Sequence, residues 1–302
     1  GPPITEGLDA DGRVTLLVTP EVGDFGTDGT LGYFTLRDLF APGDAPQLDT
    51  LNNSNQRLVL YVSSDLVRSG GEADVLGTLA HEFEHLINAS RKLFGPADGK
   101  EPEDTWLDEG LSMYAMDVAG YGLPAGDYHI AKDLRAFQLE PQNYTLTNWG
   151  QNPPGFAYGQ SYLFVKYLVD RYGDEAIPAI LGADVAGVPA VEGFLKGKGT
   201  TFEAFFRDWA VTNVVTGQAV AKDTPYNYKG IAMTGTYKSS TGLEDIVLRG
   251  FTQLPGTDAE QAVSLKAWGT AYYAFASDAP RIWDLRLAAG TPGRLLGAAI
   301  VP

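Results

Sequence analysis

Two of the three histidines in this chain stand four residues apart, in Ala80-His81-Glu82-Phe83-Glu84-His85-Leu86. Around them Val75, Leu76, Leu79, Phe83, Leu86 and Ile87 recur at helical spacing. Four residues make about one helical turn, so His81 and His85 project from one face of that helix. Two imidazoles placed this way can hold one Zn2+, and a glutamate directly after the first can act on a zinc-activated water. The competing reading is two histidines met by chance on an ordinary helix face. Histidine is rare here, at three in 302 residues, and two of the three fall at ligand spacing.

The remaining pattern predicts an α+β chain. Residues 13–18 and 57–62 are short β-branched and apolar runs that read as strands, and residues 23–55 between them read as loop. Ser69 and Glu72 have capping-box spacing ahead of the histidine helix, which Gly95-Pro96 stops. Pro102 is expected to open a second helix that runs through Trp106-Leu107-Asp108-Glu109-Gly110 and ends near Gly120. A third spans residues 159–172, with Gly173 as its stop. A fourth begins after Thr200, which with Glu203 is again spaced as a capping box, and carries an aromatic face of Phe202, Phe205, Phe206 and Trp209 that reads as core. Residues 262–268, 270–275 and 281–287 read as strands. The expected division is 1–95 for an N-terminal α/β part that includes the histidine helix, 96–220 for a helical part, and 221–302 for a small C-terminal β module.

Composition narrows the partners. A net charge of −16 argues against nucleic acid or anionic membrane as the main partner. The absence of cysteine excludes disulfides, a thiolate nucleophile and a cysteine-rich metal site. No run of about 18 apolar residues predicts a membrane span. The best candidate, residues 176–191, is interrupted by Pro178, Asp184 and Pro189. Gly1-Pro2 reads as a protease scar, so a signal peptide is expected to be missing already. Asp9, Asp11 and Gly12 invite a calcium loop, but an EF-hand counted from Asp9 has Pro20 where glutamate is required. A plain turn is the better reading. The many aspartates leave Ca2+ a candidate second cation with no locatable site.

A catalytic zinc needs a third protein ligand and one open position. His129 is the remaining histidine, and Glu109 stands out among the carboxylates because it lies on the next predicted helix. Asp108 is a weaker alternative. Glu109 also admits a simpler reading, as a first-turn carboxylate favoured by the helix dipole. Glu84 is expected to point away from the histidine face.

H-E-x-x-H followed by W-L-x-E-G resembles the gluzincin zinc metallopeptidases, and the overall pattern is closest to the hyicolysin-like (M30) peptidases. The resemblance covers about residues 58–214. It implies a thermolysin-like catalytic domain, with an α/β N-terminal and a helical C-terminal subdomain flanking a cleft. It implies one catalytic Zn2+ held by His81, His85 and Glu109, with Glu82 as general base toward a peptide bond. The segment from Trp106 to Gly110 looks like its counterpart in the M1 aminopeptidases. The 23 residues from Leu86 to Asp108 exceed the M1 spacing, and the loop over residues 95–101 is expected to house the surplus. Residues 158–168 resemble the M1 tyrosine segment, with Ser161 where that segment has glycine, which implies a transition-state role for Tyr158. Tyr162, one turn on, is the fallback. The M1 motif that grips a substrate α-amine has no counterpart upstream, so the expectation is a secreted, monomeric endopeptidase acting on protein or peptide. His129 is expected to be structural or exposed, its functional reading being a second oxyanion donor. The rival classes are a catalytically inactive metal-binding pseudopeptidase or adhesion module, and a hydrolase of non-peptide bonds.

Overall fold

Strand β3 (Val59–Ser63) is buried along its whole length and organises the first part of the chain. In the computed structural model, residues 10–22, 30–41, 54–95, 101–149, 155–239, 244–256, 264–278 and 294–300 are described. Strand β1 (Thr15–Thr19) pairs parallel with β3 on one side, and β2 (Gly32–Tyr33) pairs antiparallel on the other. Ser63 ends β3 and caps helix α1 (Ser64–Ser69), its hydroxyl accepting from the Asp65 and Leu66 N–H groups.

Helix α2 (Glu72–Phe94) carries the histidines. Its start is fixed by Asp74, whose carboxylate accepts from the Gly71 N–H at 3.0 Å. The expected Ser69–Glu72 capping box does not form, because Ser69 closes α1 and its hydroxyl donates back to the Asp65 carbonyl at 2.6 Å. One side of α2 lies on the sheet, where Leu86 and Ala89 pack with Leu39 and Leu60. The apolar stripe is wider than that buried face: Phe83 and Ile87 remain 44% and 39% exposed.

The other side of α2 meets helix α3 (Thr105–Val118), which packs in turn on α5 (Gly155–Tyr172). Helix α3 opens after Asp104 rather than at Pro102, and α5 begins one turn earlier than its pattern suggests. Gly173 follows α5 at φ +86°, a left-handed conformation that suits glycine at a helix end. Helix α4 (Tyr128–Leu139), capped by Asp127, crosses α5 and has no counterpart in the sequence reading. Helices α6 (Ala176–Leu181), α7 (Gly187–Gly197) and α8 (Phe202–Val215) complete the helical layer. The cap of α8 is Thr201, not Thr200, and its hydroxyl accepts from the Ala204 N–H at 3.1 Å.

Trp106, Phe137, Phe164, Phe205 and Trp209 fill one core between these helices, and Tyr228, Met233, Leu248 and Phe251 from the C-terminal part join it. The C-terminal strands are short. Strands β4 (Thr234–Tyr237) and β5 (Ile246–Arg249) pair antiparallel, and β6 (Leu254–Pro255) and β7 (Tyr273–Ala274) pair parallel. Residues 264–268 form no strand, and β7 covers only two residues of the run predicted over 270–275. The aromatic content there serves a different purpose: Trp268, at φ +55°, inserts its ring edge-on against Phe202 and Phe206. Residues 281–287 and the first two of 262–268 lie outside the described residues. Among those described, no helix is long and apolar enough to cross a membrane. The architecture is mixed α+β with helix predominating.

Candidate metal centre

Three local choices bring the site together. Helix α2 presents His81 and His85 one turn apart, their rings edge-to-face with centroids 4.8 Å apart. Helix α3 is anchored from behind by Trp106, 1% exposed and edge-on to Phe164 and Phe202. Leu107 and Leu111 share that buried side, which turns Asp108, Glu109 and Ser112 toward α2. Gly110 lets α5 approach, since a Cβ there would lie 2.9 Å from the Ser161 carbonyl oxygen. Helix α5 then carries Tyr158, whose hydroxyl donates to Glu109 Oε1 at 3.5 Å and whose ring packs on Trp149.

The donor atoms form a tight triangle. His81 Nε2 lies 3.2 Å from His85 Nε2 and 3.2 Å from Glu109 Oε2, and His85 Nε2 lies 3.6 Å from the same oxygen. Ligands at about 2.0–2.1 Å from a tetrahedral Zn2+ are separated by about 3.3 Å, so this triangle has the dimensions of one face of such a site. Glu109 Oε2 is buried without a hydrogen bond. An orphaned carboxylate oxygen facing two imidazole nitrogens is a cation-binding arrangement.

The second nitrogen of His85 is also held. Asp108 Oδ2 lies 3.0 Å from His85 Nδ1, and Ser112 Oγ lies 3.0 Å from it. Ser112 spends its single proton on Glu84 Oε2, at 2.7 Å, so it accepts from the ring. Nδ1 therefore carries a hydrogen, which leaves Nε2 as the ring atom that faces His81 and Glu109 and can take a metal once it gives up its own proton. Asp108 thus serves as an orienting partner and not as a member of the triangle. Glu84 does not point away: it is 8% exposed and sits in the α2–α3 seam, its carboxyl pushed up to about 8 by burial and then by Asp108.

Electrostatics follow the same geometry. Burial pushes the Glu109 carboxyl up, but the proximity of His81 and His85 outweighs it and holds the group below the usual range. Burial lowers His85, yet the charge and hydrogen bond of Asp108, with Glu109, leave it well above its ordinary value. Glu82 is 6% exposed and raised, first by burial; the two histidines and a bond from the Phe34 N–H act the other way. Burial, then the charges of Glu109 and Asp133, raise Tyr158, which stays a phenol and a donor.

Among the described residues, two groups have metal-ligand geometry: His81 with His85 and Glu109, and Glu84 with His85 and Asp108. His129 belongs to neither; its ring stands edge-on to Tyr128 at the start of α4. Tyr162 is fully buried, its hydroxyl donating to Asp117 at 2.8 Å, so the fallback tyrosine serves the core. Ser112 and Trp149 escaped sequence reasoning. Ser112 stands three and four residues after Glu109 and Asp108, a spacing that could have flagged it.

A family model described as Peptidase MA superfamily matches residues 58–215, a span that runs from β3 through α8 and holds every residue of the centre. Over 186 residues, 58% of this chain, the sequence is 33% identical to the neutral metalloprotease ShpI of Staphylococcus hyicus. The match spans 39% of that relative's length. With the family match covering more than half of the chain, and the donor triangle inside it, the chain belongs to the Peptidase MA superfamily.

Proposed function

We propose that the chain is a zinc-dependent endopeptidase of the gluzincin type, close to the hyicolysin-like peptidases, in which His81, His85 and Glu109 hold one Zn2+. The observation that carries this reading is the donor triangle, in which Glu109 Oε2 faces the Nε2 atoms of both histidines. When bound there, the metal supplies Lewis acidity toward a carbonyl and acidifies water. The side chains supply the rest. Glu82 follows the first histidine and is almost fully enclosed. In the proposal it takes a proton from the attacking water and hands it to the leaving amine, a role suited to a carboxyl of raised pKa. Tyr158 donates its hydroxyl to the oxyanion of the tetrahedral intermediate. Asp108 and Ser112 fix the tautomer of His85.

The subdomain layout belongs to the same proposal: an α/β part over 1–95, a helical part over 96–220 with the cleft between them, and a C-terminal part over 221–302. So do secretion and a monomeric state. Incubation of casein and of end-blocked peptides with zinc-loaded protein tests the activity. Internal cleavage that a chelator abolishes and zinc restores is expected, and Glu82→Gln should abolish hydrolysis while one zinc per chain remains. Full activity in Glu82→Gln overturns the mechanism, and zinc-loaded wild-type protein that cleaves nothing leaves a binding-only pseudopeptidase.

A further inference from the structure

The histidine stripe of α2 continues beyond the metal centre. His81, His85, Asn88 and Lys92 follow one another at spacings of four, three and four, so they share one helix face. That face meets α3 at two places. His85 lies against Asp108 and Glu109, and Lys92 lies against Glu103, just ahead of the helix. Lys92 Nζ is 2.9 Å from Glu103 Oε2, with the two side chains only 3% and 1% exposed. The ammonium also donates to the carbonyls of Ile180 at 3.0 Å and Val185 at 2.8 Å, and reaches that of Ala183 at 3.4 Å. The other oxygen of Glu103 accepts from the Asp104 N–H at 2.9 Å and from the Gly187 N–H. Asp104 is the N-cap of α3. Gly187, at φ +60°, leaves room for the Asp104 carboxylate, which a Cβ would meet at 1.9 Å.

A buried, fully bonded ion pair contributes little net stability over a well-packed apolar pair, because desolvation offsets the attraction. The best-attested use of such a pair is to specify register. Here Lys92 ties the end of α6 and the α6–α7 connection to Glu103, and Glu103 in turn accepts from the N–H groups of Asp104 at the start of α3 and Gly187 at the start of α7.

We propose that Lys92 and Glu103 are positioning residues that set the register of α3 along α2 and so deliver Glu109 to the histidine pair. The inference rests on the metal reading above. His85 and Lys92 are seven residues apart on α2, and Glu103 and Glu109 are six apart along α3 and its approach. At 1.5 Å per helical residue the α2 arm is about 10 Å long, so the ion pair and the metal centre close opposite ends of one seam. The length of the connection between the helices then does not decide where Glu109 falls. This accounts for a spacing of 23 residues between His85 and Glu109.

The test uses the full chain with the double variant Lys92→Met/Glu103→Leu, which replaces both charges with apolar groups. The readouts are Tm, zinc affinity by competition with a fluorescent chelator, the visible spectrum of the Co2+-loaded protein, and hydrogen exchange over residues 105–109 without metal. A variant that melts near the wild-type temperature, binds zinc at least about tenfold more weakly, shows altered Co2+ bands and exchanges faster supports the proposal. A pair with a merely structural role would move Tm alone. Wild-type affinity, spectrum and exchange in the folded variant overturn the proposal. Should the double variant not fold, Lys92→Gln read by the same measurements decides it. His81→Ala is the control for the centre itself. If the wild-type protein binds no zinc, the metal reading fails, while exchange in metal-free protein still decides the register claim.

Discussion

Replacing Gly110 with alanine sets two effects of known sign against each other. Inside an exposed helix this change stabilises by about 1 kcal/mol, because alanine loses less backbone entropy than glycine. At Gly110 the new Cβ would lie 2.9 Å from the Ser161 carbonyl oxygen, 3.1 Å from the Ser161 carbonyl carbon and 3.0 Å from Val165 Cγ2. The first two are backbone atoms of α5, and Ser161 is wholly buried, so the helix cannot yield locally. Restoring ordinary contact requires α3 and α5 to part by roughly 0.5 Å, and overpacking of this kind costs about 1–3 kcal/mol. The net result is a loss of about 0–2 kcal/mol, or up to about 3 °C in Tm for a chain of this size. The displacement also acts on Glu109, the adjacent residue, whose Oε2 sits 3.2 and 3.6 Å from the two histidine nitrogens. Sites of this type lose function when their geometry drifts by about 0.5 Å, so zinc affinity should fall by about tenfold. Thermal unfolding and chelator competition on the purified variant measure both effects. A variant that melts higher than wild type and binds zinc equally well would show that the α3–α5 contact does not constrain the centre.

Three further outcomes are expected. Tyr158→Phe should lower kcat by about 100-fold at unchanged zinc content, and retention of kcat would remove Tyr158 from the mechanism. Asp108→Ala should weaken zinc binding by about 10–100-fold while the protein stays folded, read by chelator competition, because His85 loses the partner that fixes its tautomer; unaltered affinity contradicts that role. Asp117 is raised from 3.8 to about 6, chiefly by burial, with the bond from Tyr162 acting the other way. A folded-state value above the unfolded one contributes stability at low pH that is lost as pH rises through about 6. Asp117→Asn should therefore gain on wild type, by up to about 3 kcal/mol, between pH 4 and pH 7 in denaturant titrations, and parallel pH curves would refute this.

The histidine pair was legible because helical periodicity and residue type coincide over residues 75–87, and a one-turn spacing needs no tertiary information. Glu109 was different. Nothing in a 23-residue spacing says which carboxylate returns to the pair, so it was reached through the Trp106-to-Gly110 resemblance. The structure supplies the physical link: Trp106 and Leu107 bury the back of α3, and Lys92 holds its start. Helix α4 went unread although Asp127 caps it and Ile130, Leu134 and Phe137 recur at helical spacing. The C-terminal strands were over-read because alternating aromatics mimic a pleated face, whereas Trp268 and Tyr272 pack on the helical core. The role of Glu84 was hidden because its partner, Ser112, comes from another helix.

The most direct test of the account is zinc K-edge absorption on purified protein, wild type and Glu109→Ala, with metal content measured in parallel. The account predicts one zinc per chain, bound by two imidazoles and one carboxylate in wild type, with the carboxylate contribution lost and affinity reduced in the variant. A wild-type protein without stoichiometric zinc, or one whose zinc environment is identical in Glu109→Ala, would contradict it.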